Sequence, residues 1–203
     1  QGDGSSNMDM QNDGVATQVQ VGDENEASIK QRSGKWSSGN TSAQTQTGDK
    51  NVAKATFYNA KNTSSQTQSG NKNWSKVKAS GSGNNTIVTN QVGNENKAFS
   101  KLLNSGTSTA TTTQSGDENV AEVDAKGTNN TVNVWQAGNN NNVGQTPWYA
   151  NEGVLVEGNQ NTVGIDQVGD NNSAQYSVDG NNNKFSGSQD GMDNEMAVDQ
   201  YTW

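Results

Sequence analysis

Carboxylates come first, because acids grouped in space can bind calcium or share the work of acid and base. Asp23-Glu24, Asp117-Glu118 and Asp170 sit beside glycines, in segments that read as turns. Calcium-binding β-rolls repeat a Gly-Gly-x-Gly-x-Asp nonapeptide, and this sequence does not. A glycosidase needs two carboxylates converging across a cleft. Here every carboxylate falls in a turn or in the outward phase of a strand, so we expect solvated turn charges, no metal site and no enzyme. With no Cys and no His, Cys/His zinc sites, thiol nucleophiles and Ser/His triads are unavailable. No cofactor is expected. Sequons such as Asn73-Trp-Ser75 follow from an Asn-rich repeat and carry no weight.

The chemistry that does recur is that of the neutral amide. The pattern Gln-x-Gly-x-x-Asn occurs eight times. It runs through Gln20-Gly22-Asn25, Gln46-Gly48-Asn51, Gln68-Gly70-Asn73 and Gln91-Gly93-Asn96. It continues through Gln114-Gly116-Asn119, Gln136-Gly138-Asn141, Gln167-Gly169-Asn172 and Gln189-Gly191-Asn194. The period is 22 or 23 residues, apart from two longer intervals of 26 and 31. A weaker copy without the Gln lies midway: Gly127-Asn130, Gly158-Asn161, Gly180-Asn183, Gly81 to Asn84, and Asn59 to Asn62. The unit is a half-turn of 11 residues used twice per coil.

Each half-turn reads as a tight reversal followed by a strand. Gly and Asn tolerate positive φ, which suits Gly-x-x-Asn to a turn. After each Asn, alternate positions are small or apolar: Ala53, Ala55, Phe57; Ala121, Val123, Ala125; Ala174, Tyr176, Val178; Val132, Val134; Val163, Ile165. Lys54, Glu122, Asp124 and Asp166 fall between them. That period of two marks strands with one face inward.

Only 27% of residues are hydrophobic, against roughly 45–50% in globular domains. Two sheets about 10 Å apart, with coils stacked at about 4.8 Å, need only two or three inward side chains per strand. The expected fold is all-β: a two-sheet parallel β-solenoid of about eight 22-residue coils, able to stack into cross-β fibres. The repeated Gln shares the inward phase, and a buried amide needs a partner. Identical Gln residues one coil apart supply it as a ladder along the axis.

The ends and the charges add expectations. A polar segment, 1–14, precedes the repeats, which fill 15–203 with insertions at about 32–38 and 143–153; the second holds Pro147, Trp148 and Tyr149. The first strand is expected at about Val15 to Gln20, and the last brings Met196, Val198 and Gln200 inward as a polymerisation edge. No cap is expected at either end. Residues 27–101 carry eleven bases and two acids, residues 102–203 two bases and thirteen acids, so the charge is polarised along the axis and favours head-to-tail docking. The net charge of −8 disfavours nucleic acid. No apolar run is long enough for membrane insertion. A start at Gln1 rather than Met fits a secreted product whose signal has been removed.

These residues resemble the curlin repeat, the building unit of bacterial curli fibres. The resemblance rests on Gln-x-Gly-x-x-Asn with a small residue two positions on (Ala27, Ala53, Ala98, Ala121, Ala174), and runs from about Gln18 to Gln200. Val198-Asp199-Gln200-Tyr201 is similar to curlin ends. Gln1 to about Asp13 resembles the segment by which curlins are recognised by their outer-membrane secretion channel. There are departures. The family's leading Ser is Asn at 40, 62, 85, 130, 161 and 183, and its second Gln survives only as Gln31 and Gln200. Phe57, Ala79, Leu102, Ala125 and Val178 replace that Gln, so one arm is more apolar; the repeats are also more numerous than in familiar members. The resemblance implies the major subunit of an extracellular, curli-like functional amyloid fibre of a biofilm matrix, active in adhesion. It polymerises with itself, and a nucleator subunit and a secretion channel are its implied partners. The alternatives are a monomeric adhesin, an ice-binding surface protein and the nucleating minor subunit. Ice binding calls for a flat outward Thr column, and along the sequence only Thr107 to Thr113 is rich in Thr.

Overall fold

The computed structural model describes residues 4–10, 14–32, 39–58, 61–81, 83–103, 106–144 and 153–202. All regular structure among them is β. One sheet holds β1 (Ser5–Met10), β3 (Glu26–Arg32), β5 (Val52–Tyr58), β7 (Trp74–Ser80), β9 (Lys97–Leu103), β11 (Val120–Lys126), β13 (Asn142–Val143), β14 (Val154–Glu157), β16 (Ser173–Asp179) and β18 (Glu195–Tyr201). We call it sheet A. Sheet B holds β2 (Val15–Val21), β4 (Thr41–Thr47), β6 (Thr63–Ser69), β8 (Thr86–Val92), β10 (Thr109–Ser115), β12 (Thr131–Ala137), β15 (Thr162–Val168) and β17 (Lys184–Asp190). All pairings are parallel, and the chain passes from one sheet to the other at every arc. The result is a two-sheet solenoid of about eight coils.

Seven-residue strands follow from the sequence period: a half-turn of 11 residues less a four-residue Gly-x-x-Asn arc leaves seven. Inward positions are buried and outward ones are not, as in β4, β6 and β12. The core is a set of axial columns. One runs Gln31, Phe57, Ala79, Leu102, Ala125, Val156, Val178, Gln200 in register, the arm expected to be the more apolar. A neighbouring column changes character along the axis: Gln18, Gln44, Gln66, Thr89, Thr112, Val134, Ile165. That column is therefore amide-rich at the first coils and aliphatic at the later ones, where Tyr176 stacks against Phe185 with centroids 4.2 Å apart.

Four details differ from the sequence-based expectation. The first strand lies earlier than Val15, because Ser5–Met10 already pairs with β3. In the four-residue Gly-x-x-Asn arcs the positive φ falls on Gly and on the residue before the closing Asn, not on that Asn: Lys50, Glu95 and Glu118 have φ of 60°, 58° and 58°. The weaker copy read as Gly81 to Asn84 runs one residue longer, to Asn85, the Asn at the position of the family's leading Ser, and it is Asn85 that is buried. Asp124, in an outward phase, is covered by its neighbours and paired with Lys101. The insertions are only partly described. Residues 33–38 and 145–152 lie outside the described set, including Pro147, Trp148 and Tyr149, while β13 and β14 place the second insertion within a single strand position of sheet A.

Candidate functional site: the amide ladders and the end coils

The eight Gln residues of the main motif stack in one inward column of sheet B. Each Nε2 donates to the next Oε1. The bonds run Gln20 to Gln46 (3.0 Å), Gln46 to Gln68 (2.9 Å), Gln68 to Gln91 (2.8 Å) and Gln91 to Gln114 (2.8 Å). They continue from Gln114 to Gln136 (2.9 Å), Gln136 to Gln167 (2.9 Å) and Gln167 to Gln189 (2.8 Å). The second N–H of each amide donates across the coil to a backbone carbonyl of the facing strand start, as Gln91 does to Trp74 O at 3.0 Å. Each interior Gln thus satisfies both donors while fully buried, which a lone amide in an apolar core cannot do.

The Asn residues form a second ladder at the arcs. Asn73 Oδ1 accepts the backbone N–H of Asn96 (3.0 Å), and Asn73 Nδ2 donates to Gly93 O (2.7 Å). The same contacts recur through Asn25, Asn51, Asn96, Asn119, Asn141 and Asn172, the last donating to Gly191 O at 2.9 Å. Gly is required where coils touch. Gly93 has φ +115°, and a Cβ there would lie 2.1 Å from Gly116 O. Gly22, Gly48, Gly70, Gly116, Gly138 and Gly169 stack in the same way, while Gly191, in the last arc, meets only Asn194 Nδ2 at 3.5 Å. The turn carboxylates serve as acceptors: Asp117 Oδ1 takes the N–H of Asn94 and Asp170 Oδ1 that of Asn139, each at 2.7 Å. At the exposed arc, Glu95 bonds Lys72 at 2.7 Å and holds the lysine pKa above its ordinary value.

Two columns escaped the sequence reading because they are written down the axis, not along the chain. Gln18, Gln44 and Gln66 form a second amide ladder (3.0 and 2.7 Å); the Gln-x-Gln pairs at 18–20, 44–46 and 66–68 were its signal. On the outer face of sheet B, Thr41, Thr63, Thr86, Thr109, Thr131 and Thr162 stack in register. Along the chain only Thr107 to Thr113 is rich in Thr, whereas this column has one Thr per period.

Residues 108–138 match the family model of the curlin associated repeat. The chain carries the curlin repeat. That stretch contains β10, β11 and β12, with two rungs of the Gln ladder, Gln114 and Gln136. A comparison with curated proteins gives no match. The curlin repeat on a two-sheet solenoid describes a curlin-like, fibre-forming protein.

At the end coils the columns open. The inward residues Ala16, Gln18 and Gln20 of β2, and Met196, Val198 and Gln200 of β18, are only half-buried, while their counterparts in interior coils are buried. The first residues of β1, β3, β5, β7, β9, β11, β13 and β16 donate their N–H forward to the next coil, as Lys97 does to Asn119 O and Ser173 to Asn194 O, both 2.8 Å. Glu195 holds the same place in β18, and strand alternation puts the amides of Ala197 and Asp199 on the same open side. Met196, Val198 and Gln200 supply the open end of the core, with their own amides turned towards β16. The ladder ends differ as well. Gln20 Oε1 accepts nothing, and Gln189 Nε2 donates only to Ser173 O (2.9 Å), among the described residues.

Proposed function

We propose that this protein is the repeating structural subunit of an extracellular curli-like fibre, growing by head-to-tail addition of one solenoid onto the end coil of another. The observation that carries this is the polarity of the Gln ladder. It begins on an open acceptor, Gln20 Oε1, and ends on an open donor, the second N–H of Gln189. Two like ends cannot complete that ladder; unlike ends can. The alternation of sheets supports the same join, since β1 continues sheet A beyond β18 of a preceding copy while β2 continues sheet B beyond β17. A head-to-tail contact that does not close gives a filament. Addition covers the half-buried Met196 and Val198 with the next copy's inward residues. It also replaces water on two strand edges with ladder bonds, each worth about 0.5–1.5 kcal/mol net.

Secretion to the cell surface, a role in biofilm and adhesion, a nucleator and a secretion channel belong to the same reading through the curlin repeat. Purified chain incubated at neutral pH is expected to give unbranched fibres by electron microscopy, with a diffraction spacing of about 4.8 Å along the fibre axis. A protein that stays monomeric at all concentrations, with intact β-structure, contradicts the proposal.

A further inference from the structure

The two outer faces of the solenoid differ in kind. The outer face of sheet A is charged, with Lys54, Lys76, Lys78 and Lys97 towards one end and Glu157, Asp179 and Asp199 towards the other. The outer face of sheet B is formed by eight unbroken seven-residue strands. From β2 to β12 none of its outward residues is charged; they are Thr, Ser, Val, Ala, Asn and one Trp. Five of the nine exposed large hydrophobic side chains among the described residues stand on it: Val15, Val19, Val21, Val92 and Trp135.

We propose that this face is a lateral docking surface for a second copy of the same chain, sheet B against sheet B. The inference rests on the fibre reading and adds to it the face by which filaments pair. Three observations select that occupant. From β2 to β12 the absence of charge means that identical faces do not repel, Asp166, Lys184 and Asp190 being confined to β15 and β17 at one end, whereas two sheet A faces in parallel register set lysine against lysine. Short Thr, Ser and Ala side chains at regular strand spacing allow two sheets to approach and interdigitate, as in the dry interfaces between cross-β sheets. The area suffices: seven residues at about 3.3 Å by the six strands from β2 to β12 at about 4.8 Å give roughly 670 Å², within the about 600–1,000 Å² per partner of a stable complex. The stacked column from Thr41 to Thr162 runs down this interface, and Trp135 is its one large protrusion.

The test compares two doubly substituted chains carrying the same added charge. Thr67→Lys with Thr111→Lys sets lysines on the sheet B face; Gln175→Lys with Ser177→Lys sets them on the outer face of sheet A. Filament width by electron microscopy and seeded elongation rate are both recorded. Wild type and the sheet A variant are expected to show paired filaments. The sheet B variant is expected to give single filaments, its paired fraction falling by about tenfold or more through like-charge opposition, at unchanged elongation. Pairing that survives the sheet B lysines, or is lost equally with the sheet A lysines, overturns the proposal. So do wild-type filaments that stay single while the face instead retains ice crystals or insoluble polysaccharide. If no filament forms at all, the axial reading fails on its own. Sedimentation of the soluble chain then decides the lateral one: a wild-type dimer that the sheet B lysines dissociate supports it, and monomers throughout overturn it.

Discussion

At Gln91 one side chain serves three neighbours: it accepts from Gln68, and donates to Gln114 and to Trp74 O. Gln91→Ala leaves a donor on Gln68 and an acceptor on Gln114 buried without partners, and is expected to cost about 1–3 kcal/mol in denaturant unfolding. Asn90→Ala, one residue away and outward, is expected to stay within about 0.5 kcal/mol. Equal losses would place Gln91 outside the ladder. Gln91→Glu makes the same point through pH. Burial raises the folded-state pKa of that carboxyl above its unfolded value of about 4.3. The variant is then most stable below that pH, as a protonated acid that can donate to Gln114, and loses stability as pH rises through the folded-state pKa. A flat pH profile between 3 and 8, relative to wild type, would contradict this. The sequence showed the eight Gln positions because they recur in phase within a conspicuous motif. Gln18, Gln44 and Gln66 are harder to read as a second ladder, because the Gln-x-Gln signal occurs in only three coils before that column turns to Thr and then to Val and Ile.

The arc and the strand are the elements that make one coil fit the next. Gly93→Ala sets a methyl group 2.1 Å from Gly116 O at a φ of +115°, so both arcs must shift; a loss of more than about 3 kcal/mol is expected by denaturant unfolding. Glu118 holds φ 58° with a side chain poorly suited to it. Glu118→Asn is expected to stabilise the coil by up to about 1 kcal/mol, because Asn enters that region more readily; a destabilised variant would mean that the glutamate makes a contact of its own. Here the sequence placed the turn but not the strained residue within it, since Glu, Lys, Asn, Gln and Asp share that position and no single residue type flags it. In the last coils, burial raises the Tyr176 pKa above its ordinary value, and its hydroxyl donates to Gln200 Oε1 at 2.8 Å. Stability is full below the unfolded pKa of about 10 and falls as pH rises towards the higher folded-state value. Tyr176→Phe is expected to lose that alkaline dependence in circular dichroism melts between pH 9 and 11. Its persistence would assign the transition to other groups.

For the whole molecule, the axial repeat matters more than any single site. The repeat period was enough to derive two facing parallel sheets and about eight coils, because stacking is the one arrangement that satisfies both the amides and the thin core. Features that depend on absolute position along the axis were not legible. Neither the extra strand at Ser5–Met10 nor the charge-free stretch of the sheet B outer face from β2 to β12 corresponds to a contiguous sequence pattern. The central claim, growth through the end coil, turns on which amides of β18 point outward. The parallel ladder turns those of Glu195, Ala197 and Asp199 to the open side, and that of Val198 towards β16. Ala197→Pro therefore removes an outward donor and fills the space beyond it while leaving the chain's own ladder bonds intact. The measurement is elongation of preformed wild-type seeds by soluble Ala197→Pro chain, with circular dichroism to show that the variant folds as wild type does. The account predicts that elongation stops after at most one added subunit per end, because the variant either fails to dock through its last coil or presents a blocked edge once docked. Sustained elongation at the wild-type rate by a normally folded variant would contradict it.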